Sequence, residues 1–174
     1  SIARSTALLE YKFTSALMRL FQERKKNVVF TAGHGELNPA ETADWERSLR
    51  SYFNTSRVNL DSIVAIPEQI DVLVIAKPTE PFSEKDKFKI DQYLMQGGNL
   101  MFLIDRMQVS EDSLRHQGYY VSTPYNLNLD DLLFKYGIRI QSNLILSMEN
   151  TRRPMIVGQM GGQNQYELFP WYYY

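Results

Sequence analysis

Apolar residues first recur at helical spacing: Leu9, Phe13, Ala16, Leu17, Leu20 and Phe21 lie three or four apart, with Glu10, Lys12 and Arg19 between them. The pattern predicts an amphipathic helix over residues 6–25, and the cationic Arg24-Lys25-Lys26 suits its negative C-terminal end. At Asn27–Ala32 the periodicity gives way to a continuous β-branched and aromatic run, as a buried strand requires. The turn Gly33-His34-Gly35-Glu36 follows at once. Asn38 can cap the next helix, Pro39 fits its first turn, and Trp45, Leu49, Tyr52 and Phe53 give it one apolar face.

The alternation continues. A second strand is expected at Arg57–Leu60, and the nearly unbroken apolar run Ile70–Ala76, ended by Lys77-Pro78, reads as a central parallel strand. Ser83 with Asp86 resembles a capping box for a helix through Gln96. That helix carries Ile90, Tyr93 and Leu94 on one side and Phe88 and Met95 on the other, so cover on both faces is expected. Gly97-Gly98 ends it, and Asn99–Ile104 returns as a strand. Strand and helix thus alternate from 27 to 104, which calls for right-handed βαβ units and a mostly parallel sheet flanked by helices.

Beyond it the pattern thins. Residues 106–127 read as a long polar loop, Asn128 as the cap of a helix over Leu129–Tyr136 ended by Gly137, and Ile138–Ile140 and Leu144–Leu146 as further strands. From residue 151 the periodicity loosens around Gly161-Gly162 and then turns aromatic. The expected organisation is an N-terminal helix over 1–26 packing on the domain, an α/β core over 27–150, and a less regular C-terminal extension over 151–174.

Composition adds exclusions. Net charge is −1 with neutral histidines, so no basic footprint supports nucleic-acid binding. Arg24-Lys25-Lys26 and Arg152-Arg153 read as solvated charges. The chain has no cysteine, which removes disulfides, thiolate metal sites and a cysteine nucleophile. No apolar stretch approaches the roughly 18–20 residues that span a bilayer. A first residue of Ser1 and an aromatic run reaching Tyr174 give the expectation of a soluble piece of a longer protein.

The candidate chemistry gathers at the first strand's end. Gly33-x-Gly35-x-x-Asn38 approaches a dinucleotide fingerprint with Asp61 at a tolerable distance for a ribose-binding acid, but Asn38 replaces the third glycine. No Gly-Lys-Ser/Thr ending makes it a P-loop. His34 and Glu36 admit three readings: a hydrogen-bonded tight turn, an organic-ligand site, or a metal site needing a third ligand such as Asp105. There is no Gly-x-Ser-x-Gly elbow, and His116, the other histidine, falls in a long loop. The aromatic end Trp171-Tyr172-Tyr173-Tyr174 reads as packing surface before sugar-stacking surface.

Several segments, in order, carry a family resemblance: Leu9-Glu10-Tyr11-Lys12-Phe13, the run Val28–Leu37 with its Gly-His-Gly-Glu turn, Ile70–Pro78, Phe82-Ser83-Glu84-Lys85, Ile90–Leu100 running on to Asp105, Leu132–Ile138 and Phe169–Tyr174. Together they resemble the bacterial ABC-transporter auxiliary domain of the gliding-motility G component (GldG) type, a domain also similar to one in a eukaryotic intraflagellar-transport protein. The resemblance implies a glutamine-amidotransferase-like or flavodoxin-like fold. It also implies a non-catalytic domain facing the periplasm at the cell inner membrane, tethered by segments outside this chain. Partners would be the permease and ATPase subunits, with an exported glycan or peptide as possible ligand, and no cofactor. Gly33, His34, Gly35 and Glu36, with Asp105 as neighbour, become the candidate ligand-binding residues. The competing expectation is a metal-assisted hydrolase or lyase using His34, Glu36 and Asp105. Where the family often places a loop acid after the late strand, Ser147 stands here, with Glu149 beyond.

Overall fold

A computed structural model of the chain describes residues 2–21, 24–109, 121–145 and 147–170. The elements in unit one are α1 (Ile2–Phe21), β1 (Asn27–Ala32), α2 (Ala43–Leu49), β2 (Asn54–Asn59), β3 (Val72–Ala76), α3 (Glu84–Met95), β4 (Asn99–Leu103) and, after the excursion of the second unit, a further helix (Asp130–Lys135). The chain divides into two compact units, Ser1–Asp105 with Tyr125–Arg139, and Arg106–Pro124 with Ile140–Tyr174.

Unit one is built on a four-stranded, wholly parallel sheet of order β2-β1-β3-β4. The apolar runs explain which strands are central: Phe30, Leu73, Val74 and Ile75 are almost completely buried. On one face Val28, Phe30, Val74 and Ala76 receive Trp45, Leu49 and Phe53 from the α2 region, with the Phe30 and Trp45 rings edge to face at 5.0 Å. Truncating a side chain as enclosed as Leu73 to alanine costs about 2–5 kcal/mol.

Local chemistry sets the helix ends. Ser83 accepts a hydrogen bond from the Asp86 amide and starts α3 as expected. Its Ile90 and Tyr93 are buried, but Phe88 and Met95 are 63% and 71% exposed, so α3 is covered on one face, contrary to the expected cover on both. Asn38 does bond the Ala40 and Glu41 amides, while Glu41 accepts from the Asn38 amide. That reciprocal box holds a turn, and α2 proper begins only at Ala43. Along α1, Leu9, Phe13, Leu20 and Phe21 are 64–81% exposed.

Four expectations are corrected. The helix Asp130–Lys135 is preceded by Leu129, and Asn128 does not cap it. Asn128 instead sits at φ 53° and donates its side-chain amide to the Phe82 carbonyl and the Glu84 carboxylate. Ile138–Ile140 and Leu144–Ile145 form no strand among the described residues. The polar loop opens with a short antiparallel pair, β5 (Met107–Gln108) with β6 (Thr123–Pro124), and the helix Asp130–Lys135 becomes α4. Residues 152–170 are regular, not loose: β7 (Arg152–Met160) and β8 (Gln163–Pro170) form a long antiparallel hairpin. Its turn, Gly161-Gly162 at φ 60° and 79°, needs the left-handed conformation that glycine reaches at no steric cost. His116 and the aromatic end from Trp171 lie outside the described residues.

Candidate functional site

The strand order places one position apart. From β1 the chain moves outward to β2, then crosses back to β3 on the other side of β1. The loops leaving β1 and β3 therefore diverge, and such a switch point is where open α/β sheets form a ligand crevice. Gly33-His34-Gly35-Glu36 leaves β1 there, and Lys77-Pro78-Thr79-Glu80 leaves β3.

These two loops are stitched together through the backbone. The His34 carbonyl accepts hydrogen bonds from the Thr79 and Glu80 amides at 2.9 and 3.0 Å, and the Leu37 amide donates to the Ala76 carbonyl. Gly35, at φ 68°, is packed so tightly that a Cβ would overlap the Thr79 hydroxyl. The glycine is required both by conformation and by space.

His34 faces inward. Its residue is 4% exposed, and its ring stacks on Phe82 at 3.9 Å and an interplanar angle of 4°. One edge, Nε2, lies 3.3 Å from Asp86 Oδ2; the other, Nδ1, lies 3.8 Å from Glu36 Oε1 and has no hydrogen-bond partner. Glu36 is itself fixed, accepting from the Thr31 hydroxyl and the His34 amide at 2.7 Å each. The turn is thus hydrogen-bonded through Glu36 and the His34 backbone, and not, as one expectation had it, through the imidazole to backbone.

Asp86 comes from the first turn of α3 and is 1% exposed. Lys89 reaches its Oδ1 at 2.8 Å and the Ser83 hydroxyl donates to its Oδ2 at 2.5 Å. Burial pushes its carboxyl up, but Lys89, Ser83 and the nearby imidazole outweigh that and hold it below the ordinary aspartate value. Asp61, in the helical turn after β2, brings a second carboxylate: one donor atom each from His34, Asp61 and Asp86 lie within 4.8 Å of one another. Asp61 is exposed and Asp86 buried, so the cluster opens outward at Asp61.

The structure therefore gathers Gly33, His34, Gly35 and Glu36 but not Asp105. Asp105 follows β4, is 60% exposed in its side chain, and faces Lys77 at 3.7 Å. The carboxylates at the imidazole are Asp61 and Asp86 instead. Asp86 is visible in the sequence only as a capping residue, and Asp61 only as a possible ribose acid. Their approach to His34 depends on strand order, for which neither carries a local signal.

A network behind the site braces it. Arg57 of β2 donates to the Leu37 carbonyl at 2.9 Å and to Glu46 at 2.8 Å, contacts the Thr42 hydroxyl, and lies over the Phe30 ring. Burial pushes the Glu46 carboxyl up, yet Arg57 and Thr42 win and hold it below its ordinary value.

Among families, the one described as ABC-type uncharacterized transport system (ABC_transp_aux) matches residues 25–174. Among solved structures, the mmIFT52 N-terminal domain is similar at a TM-score of 0.52 and 15% identity, over 85% of this chain and 67% of that one. At that identity the likeness concerns the fold alone. No curated protein matches the chain significantly.

Proposed function

The chain belongs to the family of ABC-type uncharacterized transport system auxiliary domains, and from that premise we propose that it works as a non-catalytic binding domain whose functional surface is the end of the sheet where the β1 and β3 loops emerge. The observation that carries the reading is the family match over residues 25–174, which covers the whole sheet and the Gly-His-Gly-Glu turn. The finer assignment is a gliding-motility-type system, with the domain facing the periplasm at the inner membrane. Its partners are then the permease and ATPase of the same transporter, and its ligand a segment of a partner subunit or an exported glycan or peptide. The β2-β1-β3-β4 order supports a flavodoxin-like or glutamine-amidotransferase-like ancestry, because the switch point falls where those folds keep their sites. No described helix is long and apolar enough to cross a membrane.

The test is thermal unfolding of the chain against glycans and short peptides. A ligand at about 100 times its Kd stabilises by roughly 2.7 kcal/mol. That raises the midpoint by about 5–10 °C. A shift abolished by Glu80→Lys, exposed in the loop after β3, supports a small ligand there; a shift that Glu80→Lys leaves intact contradicts it. The reading as a metal-assisted hydrolase or lyase has one observation in its favour, the approach of two carboxylates to His34.

A further inference from the structure

We propose that His34, Asp61 and Asp86 bind one divalent transition-metal ion, zinc being the best match, with an open position on the exposed Asp61 side of the cluster. The assignment is independent of the transport reading and rests on the donor geometry and its surroundings.

Donors of tetrahedral zinc lie about 3.3 Å apart, for metal–donor distances near 2.0–2.1 Å. The imidazole Nε2 and Asp86 Oδ2 are already at 3.3 Å. All three donor atoms fall within 4.8 Å, so the remaining closure is small. Asp61 can supply it, because its carboxylate is exposed and makes no hydrogen bond or ion pair among the described residues.

The surroundings of the donors point the same way. A histidine that ligates a metal through one nitrogen donates its other N–H to a carboxylate or carbonyl, which fixes the ring. Here Nδ1 is buried, unpartnered and 3.8 Å from Glu36 Oε1, a carboxylate locked in place by Thr31 and the His34 amide. A metal on Nε2 would draw that pair into a hydrogen bond. On Asp86, Lys89 bonds Oδ1, while Oδ2 accepts from the Ser83 hydroxyl and keeps a second lone pair for the metal beside the imidazole.

Charge selects the valence. Asp61, Asp86 and Glu36 bring three negative charges against one positive on Lys89, a net of minus two that a divalent ion neutralises. The nitrogen donor selects the class. Imidazole suits zinc and its neighbours, whereas magnesium and calcium prefer oxygen donors throughout. Three protein donors leave the fourth position of a tetrahedral ion for an oxygen of an incoming ligand or water.

The test is calorimetric titration of the chelator-stripped 174-residue chain with zinc, and with magnesium in parallel. Cobalt absorption reports a low-coordinate site containing nitrogen. The expected result is one zinc per chain, magnesium at least about tenfold weaker, and Asp61→Asn weakening zinc at least about tenfold. Because Asp61 is exposed, its variant keeps the metal-free unfolding midpoint of the parent, which separates ligand loss from misfolding. His116→Ala leaves binding unchanged. No binding at about 0.1 mM zinc, equal binding by Asp61→Asn, or loss in His116→Ala would overturn the assignment.

Discussion

At the scale of single residues, Gly35 is the sharpest constraint. A Cβ there meets the Thr79 hydroxyl at φ 68°, whereas a Cβ at Gly97, φ 89°, meets open space. Gly97→Ala should therefore cost only the left-handed penalty of about 1–2 kcal/mol. Gly35→Ala should cost clearly more, about 2–4 kcal/mol, and displace the loop that carries His34. Chemical denaturation of the two variants side by side measures the difference; equal losses would mean that the loops are not packed as described. Arg57 makes a second residue-scale claim. Arg57→Met leaves the largely buried Glu46 carboxylate with only the Thr42 hydroxyl and the exposed Arg50 as partners and should cost about 1–3 kcal/mol, much of it recovered when Glu46→Gln is added. A double-mutant cycle by urea unfolding reads the coupling, and an additive result would contradict it.

Elements show what could be read in advance and what could not. Ser83 starts α3 because its hydroxyl replaces a lost helical partner, and that information is local: Ser83→Ala should lower stability by about 1–2 kcal/mol in thermal or urea unfolding. No loss would show that the cap is idle. The same locality made Ile70–Ala76 legible as a central strand and Gly97-Gly98 as a helix end. Asn128 misled because a capping residue type also suits a left-handed turn, and which it serves depends on Phe82 and Glu84, over forty residues away in sequence. The hairpin β7–β8 did carry a local signal in its Gly-Gly turn. Its strands hide it, because both faces stay largely exposed and show no clean apolar alternation. The site was half legible: the Gly-His-Gly-Glu turn stands out in sequence, while Asp61 and Asp86 arrive from other elements and displace Asp105 as the imidazole's neighbours.

For the whole molecule, the electrostatics of the brace become a pH dependence. Glu46 binds its proton more weakly when folded than when unfolded, where its value is near the ordinary 4.5. Its contribution is therefore fully present above that value and fades as the pH falls through the lower folded value. The stability gap between the parent and Glu46→Gln, from urea midpoints, should be largest near about pH 6 and shrink toward about pH 3. A gap that widens on acidification would reverse the sign. The same brace ties β2 to the Leu37 carbonyl, so it also holds the end of the loop that carries His34.

On the proposed function, the working surface of this ABC-transport auxiliary domain is the end of the sheet from which the β1, β2 and β3 loops emerge. Photo-crosslinking in cells tests it, with the crosslinking residue at the exposed Ser62, in the turn after β2, or Glu80, in the loop after β3, and at Gln96, the exposed C-cap of α3 at the opposite end of the sheet, as control. Adducts to a transporter subunit, or to an exported glycan or peptide, are expected from Ser62 and Glu80 and none from Gln96. Adducts from Gln96 alone would contradict it and move the working surface to the other end of the sheet.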